Sequence, residues 1–547
     1  MSLSKRIEEL TLELTNIKSI VGSKSELDSV NAVYKKFEEM DYYKKNPDQL
    51  KFVDFDDDPL ERKSVVATMK GKKGNSNKTL VLIGHTDTVG ISDYGNLQEY
   101  ATKPFELAEK FKGVSLPEDA KKDLESGDWL FGRGIFDMKC GVATLMCIME
   151  DISKDLENFE GNIVFGAVGD EEGNSGGMLS VVQDLVKIQE KENFDYLAVL
   201  DTDYMTQLYP GDENKYIFVG TVGKLMPSFY VVGKETHVGE AYKGLDPNQL
   251  AGAITNKLNL KFEHCDVAEG EVSLPPITLR QKDMKEEYSV QIAKTATLYF
   301  NYSTHKTTPD EVMVKLKKAA NEAFTEVVAD LNDQYKQFCE ASKFPHEELP
   351  WKPRVMSFQE LYEAMKAEMG EELDTKIEEI KEELLKDKSL DERDFSMRVV
   401  EEVHKLWSDK DPVVVVYYSP PYYPHIYVEG SEHKDKILLE SVDEAVNAVE
   451  SDYKIVSKKF YPYISDLSFV SAPKDPKIME TLKSNMPALD SKYKLPLDAM
   501  QKLGLPVVNI GPFGKDAHKF TERLEKKYSF DVAPELVKRT IENLLSK

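Results

Sequence analysis

Residues Val81–Gly90 read VLIGHTDTVG. The run Val81–Gly84 is apolar at consecutive positions, the mark of a strand covered on both faces at the centre of a parallel sheet. It ends on His85 and Asp87. In a strand, residues i and i+2 project from the same face, so both side chains leave the sheet together. Two readings are open at this point. One is a strand-end histidine capped by an aspartate. The other is a metal-binding imidazole whose second nitrogen meets a carboxylate that orients it.

Strands and helices alternate outward from this stretch. Ser64–Met69, Asn162–Val168 and Tyr196–Leu200 read as strands, and Asp137–Glu150 and Gly176–Val186 as helices. Residues 3–44 read as two amphipathic helices. This order predicts an α/β fold, a three-layer αβα domain around a mostly parallel sheet. Such sheets place their sites at the carboxyl ends of strands.

Near 220 the pattern changes. A strand at 228–232, a helix at Pro247–Leu258, a strand at 291–302 and a helix at Pro309–Leu331 read as an α+β module. Residues 355–407 are helix-rich and highly charged, which predicts a solvated helical hairpin. VVVVYY and SPPYYPH follow, and SPPYYPH reads as a surface turn or as a pocket wall carrying His425. The first style returns near 460 and ends with LPVVNIG and a terminal helix. We therefore expect one domain from 1–222 plus 461–547, interrupted by a second at 223–460 that is enlarged over 332–455.

The net charge of −26 excludes a basic nucleic-acid footprint. No apolar run reaches the length of a membrane span, and the charged N-terminus lacks the core of a signal peptide. Four cysteines without a C-x-x-C pair suit free thiols in a reducing cytoplasm.

Further strand ends carry acidic groups. FGRGIFDMKCG holds Asp137 after two glycines, at a place that reads as a helix N-cap or as a carboxylate between two cations. AVGDEEGNSGG sets Asp170, Glu171 and Glu172 in a row, a repulsion that a bound cation relieves. LDTDYM offers Asp201 or Asp203, and GPFGKDAHKFTERL supplies His518 and Glu522. Histidine and carboxylate ligands converging at strand ends suit Zn²⁺, and less strongly Co²⁺ or Mn²⁺.

The motifs GHTDTV, GRGIFDMKCG, GDEEGNSGG, LDTD, THVGEAYKGLDPNQLAG and GPFGKDAHKFTERL resemble, in order, those of the binuclear zinc hydrolases. That family includes aminoacylase, acetylornithine deacetylase, succinyl-diaminopimelate desuccinylase, and glutamate-releasing carboxypeptidases and dipeptidases. The length and the LDTDY and YISDLSF segments look most like its bacterial arginine-utilisation proteins. The resemblance implies hydrolysis of an amide or peptide bond in a small acyl-amino acid or short peptide, by a hydroxide bridging two divalent metal ions. It implies His85, Asp137, Glu172, Asp201 and His518 as ligands, with Asp137 bridging and Asp203 the second choice to Asp201. It implies Glu171 as general base and acid, Asp87 as the residue orienting His85, and His237 as the lid residue that stabilises the oxyanion. Asn301 stands where family lids often carry an arginine for the substrate carboxylate. This departure keeps a non-catalytic small-molecule or peptide-binding protein as the alternative. The enlarged lid leaves a homodimer and a monomer both open, and the charged 355–407 segment leaves open a surface that recruits a partner.

Overall fold

The computed structural model covers residues 1–547 and divides into two compact units. The first comprises Met1–Thr221, Ile426–Ala472 and Pro496–Lys547, and the second Val222–His425 with Pro473–Leu495.

An eight-stranded sheet organises the first unit. Its centre is four parallel strands, Asn162–Val168, Lys78–His85, Asp195–Asp201 and Val507–Asn509. Lys63–Lys70 and Leu50–Asp54 continue one side antiparallel. On the other side Lys215–Phe218 turns antiparallel and pairs in parallel with Ile455–Lys458. Alternation along each strand feeds two helical layers. Phe165 meets Phe37 of helix Glu26–Glu38 at 5.3 Å, whereas the neighbouring Gly166 faces Val181 of helix Gly176–Glu192. The parallel centre brings His85, Val168, Asp201 and Asn509 to one edge, where His85 pairs in register with Val168 and Asp201 with Asn509.

A second, three-stranded sheet joins Trp129–Phe131 to Arg523–Glu525 and Gly514–Lys515. It brings the GRG turn beside the loop that carries His518.

The second unit is built on a five-stranded sheet ordered 277–283, 295–304, 223–232, 413–423, 355–357. Helices Pro247–Leu258 and Pro309–Ser342 accompany it.

Several expectations change. The helix after Asp137 begins at Cys140; Asp137 itself lies in an irregular turn at φ −113°, ψ 89°. The polar 355–407 region is an edge strand and three helices rather than a solvated hairpin, because Leu361, Met365, Phe395, Val399, Val400 and Val403 are buried. SPPYY is not a surface turn: it continues strand Val413–Tyr423, buried throughout. The first unit resumes at Ile426 instead of 461, because helix His433–Ala448 packs on Ala533–Ser546 and strand Ile455–Lys458 joins the large sheet. No helix is long and apolar enough to cross a membrane.

His404 tests the second unit. It is buried between Tyr230 and Trp407, and its Nε2 has no hydrogen-bond partner. Burial, with Lys410, Lys294 and Arg354 adding, pushes its pKa down to about 4. A depressed histidine contributes stability that is present above its unfolded pKa, ~6.5, and lost as pH falls through the folded value. Urea melts should therefore lose roughly 3 kcal/mol at most between pH 6.5 and 4 on this account. His404→Phe should flatten that dependence.

Candidate metal centre

The site forms where strand ends and loops of the first unit meet. His85 is buried at the end of its strand. Its Nδ1 lies 3.2 Å from the backbone oxygen of Asp87 and 3.6 Å from Asp87 Oδ1. With Nδ1–H donating there, a neutral ring would present the Nε2 lone pair to a cation. That nitrogen lies 3.1 Å from Asp137 Oδ1 and 4.0 Å from Glu171 Oε2. The other Asp137 oxygen, Oδ2, lies 3.0 Å from His518 Nε2, which is 2.9 Å from Glu172 Oε1. Asp137 thus sets one oxygen before each imidazole.

The turn after strand Asn162–Val168 is held from behind. Asp87 accepts the N–H of Glu171 at Oδ1 (3.3 Å) and of Glu172 at Oδ2 (3.1 Å). Buried Glu26 accepts the N–H of Asp170 at 2.9 Å, and Arg62 bridges Glu26 and Asp170. The Asp87 carboxylate therefore holds the backbone of the acidic turn, a contact that the sequence spacing did not reveal. Asp201 has both oxygens engaged, by Thr202 N–H at 2.7 Å and Ser465 Oγ at 3.2 Å. Asp203 accepts the Tyr204 N–H at 2.7 Å.

Sequence reasoning missed Asp466. It is buried within YISDLSF, and neither carboxylate oxygen has a hydrogen-bond partner of good geometry. Its charge acts on Glu171. Only the apolar residues near it, Ile464, Leu467 and Phe469, hinted at burial. Tyr204 and Tyr463, stacked at 5.1 Å, were missed as well.

The electrostatics of these side chains alone are strained. Burial, then the charge of Asp137, raises Asp203 well above the usual carboxylate range. Burial raises Glu171 similarly; His85 opposes this, while Asp466, Glu172 and Asp203 add to it. Burial lifts Asp201 to about 6 and raises Glu172. Burial disfavours the imidazolium of His518, but Asp137 and Glu172 outweigh it and bring His518 to about 10. Divalent cations relieve such a cluster. The residues fit them: His85, Asp137 and Glu172 place donor atoms within 4.8 Å of one another. Imidazole and carboxylate together match zinc-type coordination.

One ion pair ties the loop that carries Asp137 to the loop that carries His518. Arg133 Nη1 meets Glu522 Oε2 at 2.7 Å with both side chains buried, and Glu522 Oε1 accepts the Gly134 N–H at 2.7 Å.

The two remaining predicted residues lie in the second unit. His237 is exposed, and its Nδ1 accepts the Gly239 N–H at 3.1 Å, which puts the ring proton on Nε2 as a donor. Asn301 is half-buried and pairs with Ile277. His425 contacts Thr304 Oγ1 at 3.2 Å.

Comparison with known proteins gives the same architecture. Residues 81–542 match the model of peptidase family M20/M25/M40. The chain is 34% identical to Protein RocB of Bacillus subtilis, over 100% of this chain and 96% of that protein. It is 35% identical to the uncharacterized protein YqjN of Bacillus subtilis, over 98% and 96%. The structure superposes on aminopeptidase PepT of Bacillus cereus with a TM-score of 0.52 at 13% identity, covering 100% of this chain and 99% of that one.

Arg133→Met leaves Glu522 buried and unpaired. It should cost about 3–5 kcal/mol of first-unit stability in urea melts. Zn²⁺ binding, read by chelator competition, should weaken by about 10–100-fold as the two loops loosen.

Proposed function

The chain belongs to peptidase family M20/M25/M40, and we propose that its metal-dependent amide hydrolysis is performed by Glu171 beside two divalent cations held by His85, Asp137, Glu172, Asp201 and His518. The observation that carries this reading is Asp137, with one oxygen 3.1 Å from His85 and the other 3.0 Å from His518. With cations bound, Asp137 would offer one oxygen to each; His85 and Asp201 would hold one, and Glu172 and His518 the other. Asp203 is the rival to Asp201, since Asp201 already has both oxygens hydrogen-bonded.

Such cations polarise a scissile carbonyl and lower the pKa of water toward neutrality. Glu171 takes the proton of the attacking water and returns it to the leaving amine. Its burial and acidic neighbours favour holding that proton between the two steps. Asp87 keeps Glu171 and Glu172 in register through their backbone N–H groups. The oxyanion role that the resemblance implies for His237 belongs to this proposal, with its Nε2–H as the donor.

The substrate class proposed is a small acyl-amino acid or short peptide related to arginine. Support comes from the LDTDY and YISDLSF segments and from the acidic excess around the site, where Asp466 adds a buried carboxylate. Zinc as the native metal, a cytoplasmic location and a lid role for the second unit belong to the same proposal.

The test is turnover of a panel of N-acyl-amino acids and dipeptides, including arginine members. Glu171→Gln should lower kcat by about 10²–10⁴; equal rates in both proteins would sink the role of Glu171. Activity confined to neutral or acidic side chains would remove the arginine assignment. Asp201→Asn should reduce the Zn²⁺ stoichiometry from two equivalents to one while Asp203→Asn keeps two, and the opposite result moves the ligand to Asp203.

A further inference from the structure

Helix Pro309–Ser342 runs well beyond Leu331, where its sequence pattern suggests an end. Up to Val327 it is a core helix, with Val312, Met313, Leu316, Ala320, Phe324 and Val327 buried. Beyond that point only Cys339 is buried. A projecting helix end of this kind gains little from core packing, so its remaining contacts account for its order.

Those contacts go to the turn that carries His237. The turn's base is tied by backbone: Lys234 and Leu245 exchange hydrogen bonds, Ile292 N–H donates to Thr236 O, and Val238 N–H donates to Val290 O. Its far part, Val238–Lys243, is kinked at Glu240 and mostly exposed. Within it, the Lys243–Glu240 ion pair is fully exposed and adds little. The ring of Tyr242 supplies the tertiary contact. It packs on Tyr335 at 4.8 Å and Phe338 at 5.3 Å, two residues one helical turn apart on one face of the extension. His346 backs Tyr335 at 5.5 Å and Phe344 backs Phe338 at 6.3 Å. The chain is folded back to supply them by the left-handed Lys343 cap and by Leu349 N–H donating to Asn332 Oδ1.

We propose that the last turns of this helix are a brace, and that Tyr335 and Phe338 act as positioning residues that hold the His237 turn through Tyr242. The brace restrains the turn in the conformation where Gly239 N–H engages His237 Nδ1 and leaves Nε2–H as the donor. The inference rests on the oxyanion role of His237 for its kinetic consequence, but its structural content stands separately.

The test uses the full chain with zinc, N-acetyl-arginine and an arginyl dipeptide as probes. The double variant Tyr335→Ala/Phe338→Ala should speed amide exchange across 238–243 by about tenfold or more, with exchange in the five-stranded sheet unchanged. It should lower kcat by about tenfold and move KM by less than about twofold. In a His237→Ala background it should cause no further loss, because both changes act through the same side chain. Tyr335→Phe, which keeps the ring, should restore exchange and kcat. Unchanged protection at 238–243 overturns the brace, and so does a kcat loss that repeats in full without His237. Should His237→Ala alone leave turnover intact, the oxyanion role fails, and the exchange result decides the brace by itself.

Discussion

The repulsion among carboxylates at one sheet edge is the constraint on which the rest of the first unit depends. Asp87, Asp137, Glu171, Glu172, Asp201, Asp203 and Asp466 are all buried or nearly so around His85. Like charges in low dielectric raise one another's pKa or demand counter-charge. The chain answers with geometry as well as charge. Backbone N–H groups are directed at Asp87 and Asp201, and arginines at Asp170 and Glu522, so that these four carboxylates are held in place.

That orientation is assembled from segments far apart in sequence. The parallel strands deliver His85, the acidic turn and Asp201 to a common edge. The small sheet of Trp129–Phe131, Arg523–Glu525 and Gly514–Lys515 then fastens the Asp137 loop to the His518 loop. Buried Arg523 reinforces it through Asp119, Asp123 and Asp516. The second unit follows the same logic with apolar material. Its polar-looking enlargement adds the buried strand Val413–Tyr423 to the central strand Gly223–Val232.

Much of this was legible in the residues. Strand Asn162–Val168 and helix Pro247–Leu258 end where their patterns predict, because burial on both faces and an Asp-Pro start leave little choice. Candidate ligands at strand ends were legible because ionisable groups following apolar runs are conspicuous. The charged helices of 355–407 were misjudged, since a stripe of Leu361, Met365, Val399 and Val403 among many charges buries well only when a sheet stands opposite it. SPPYY was misjudged because two prolines suggest a turn, whereas here they extend a strand across an irregular register near 419–423.

By itself the sequence determined the element order, the αβα class of the first unit and the set of imidazole and carboxylate groups at its strand ends, because period-two and period-3.6 patterns are local properties of the chain. Only the tertiary structure decided which oxygens are already engaged, as at Asp201, and that Asp87 holds the backbone of Glu171 and Glu172. It also decided that Asp466 is a buried carboxylate beside the site, and that the long helix reaches Tyr242. These are contacts between residues tens to hundreds of positions apart, whose distances are set by sheet register and packing rather than by any pattern within one segment.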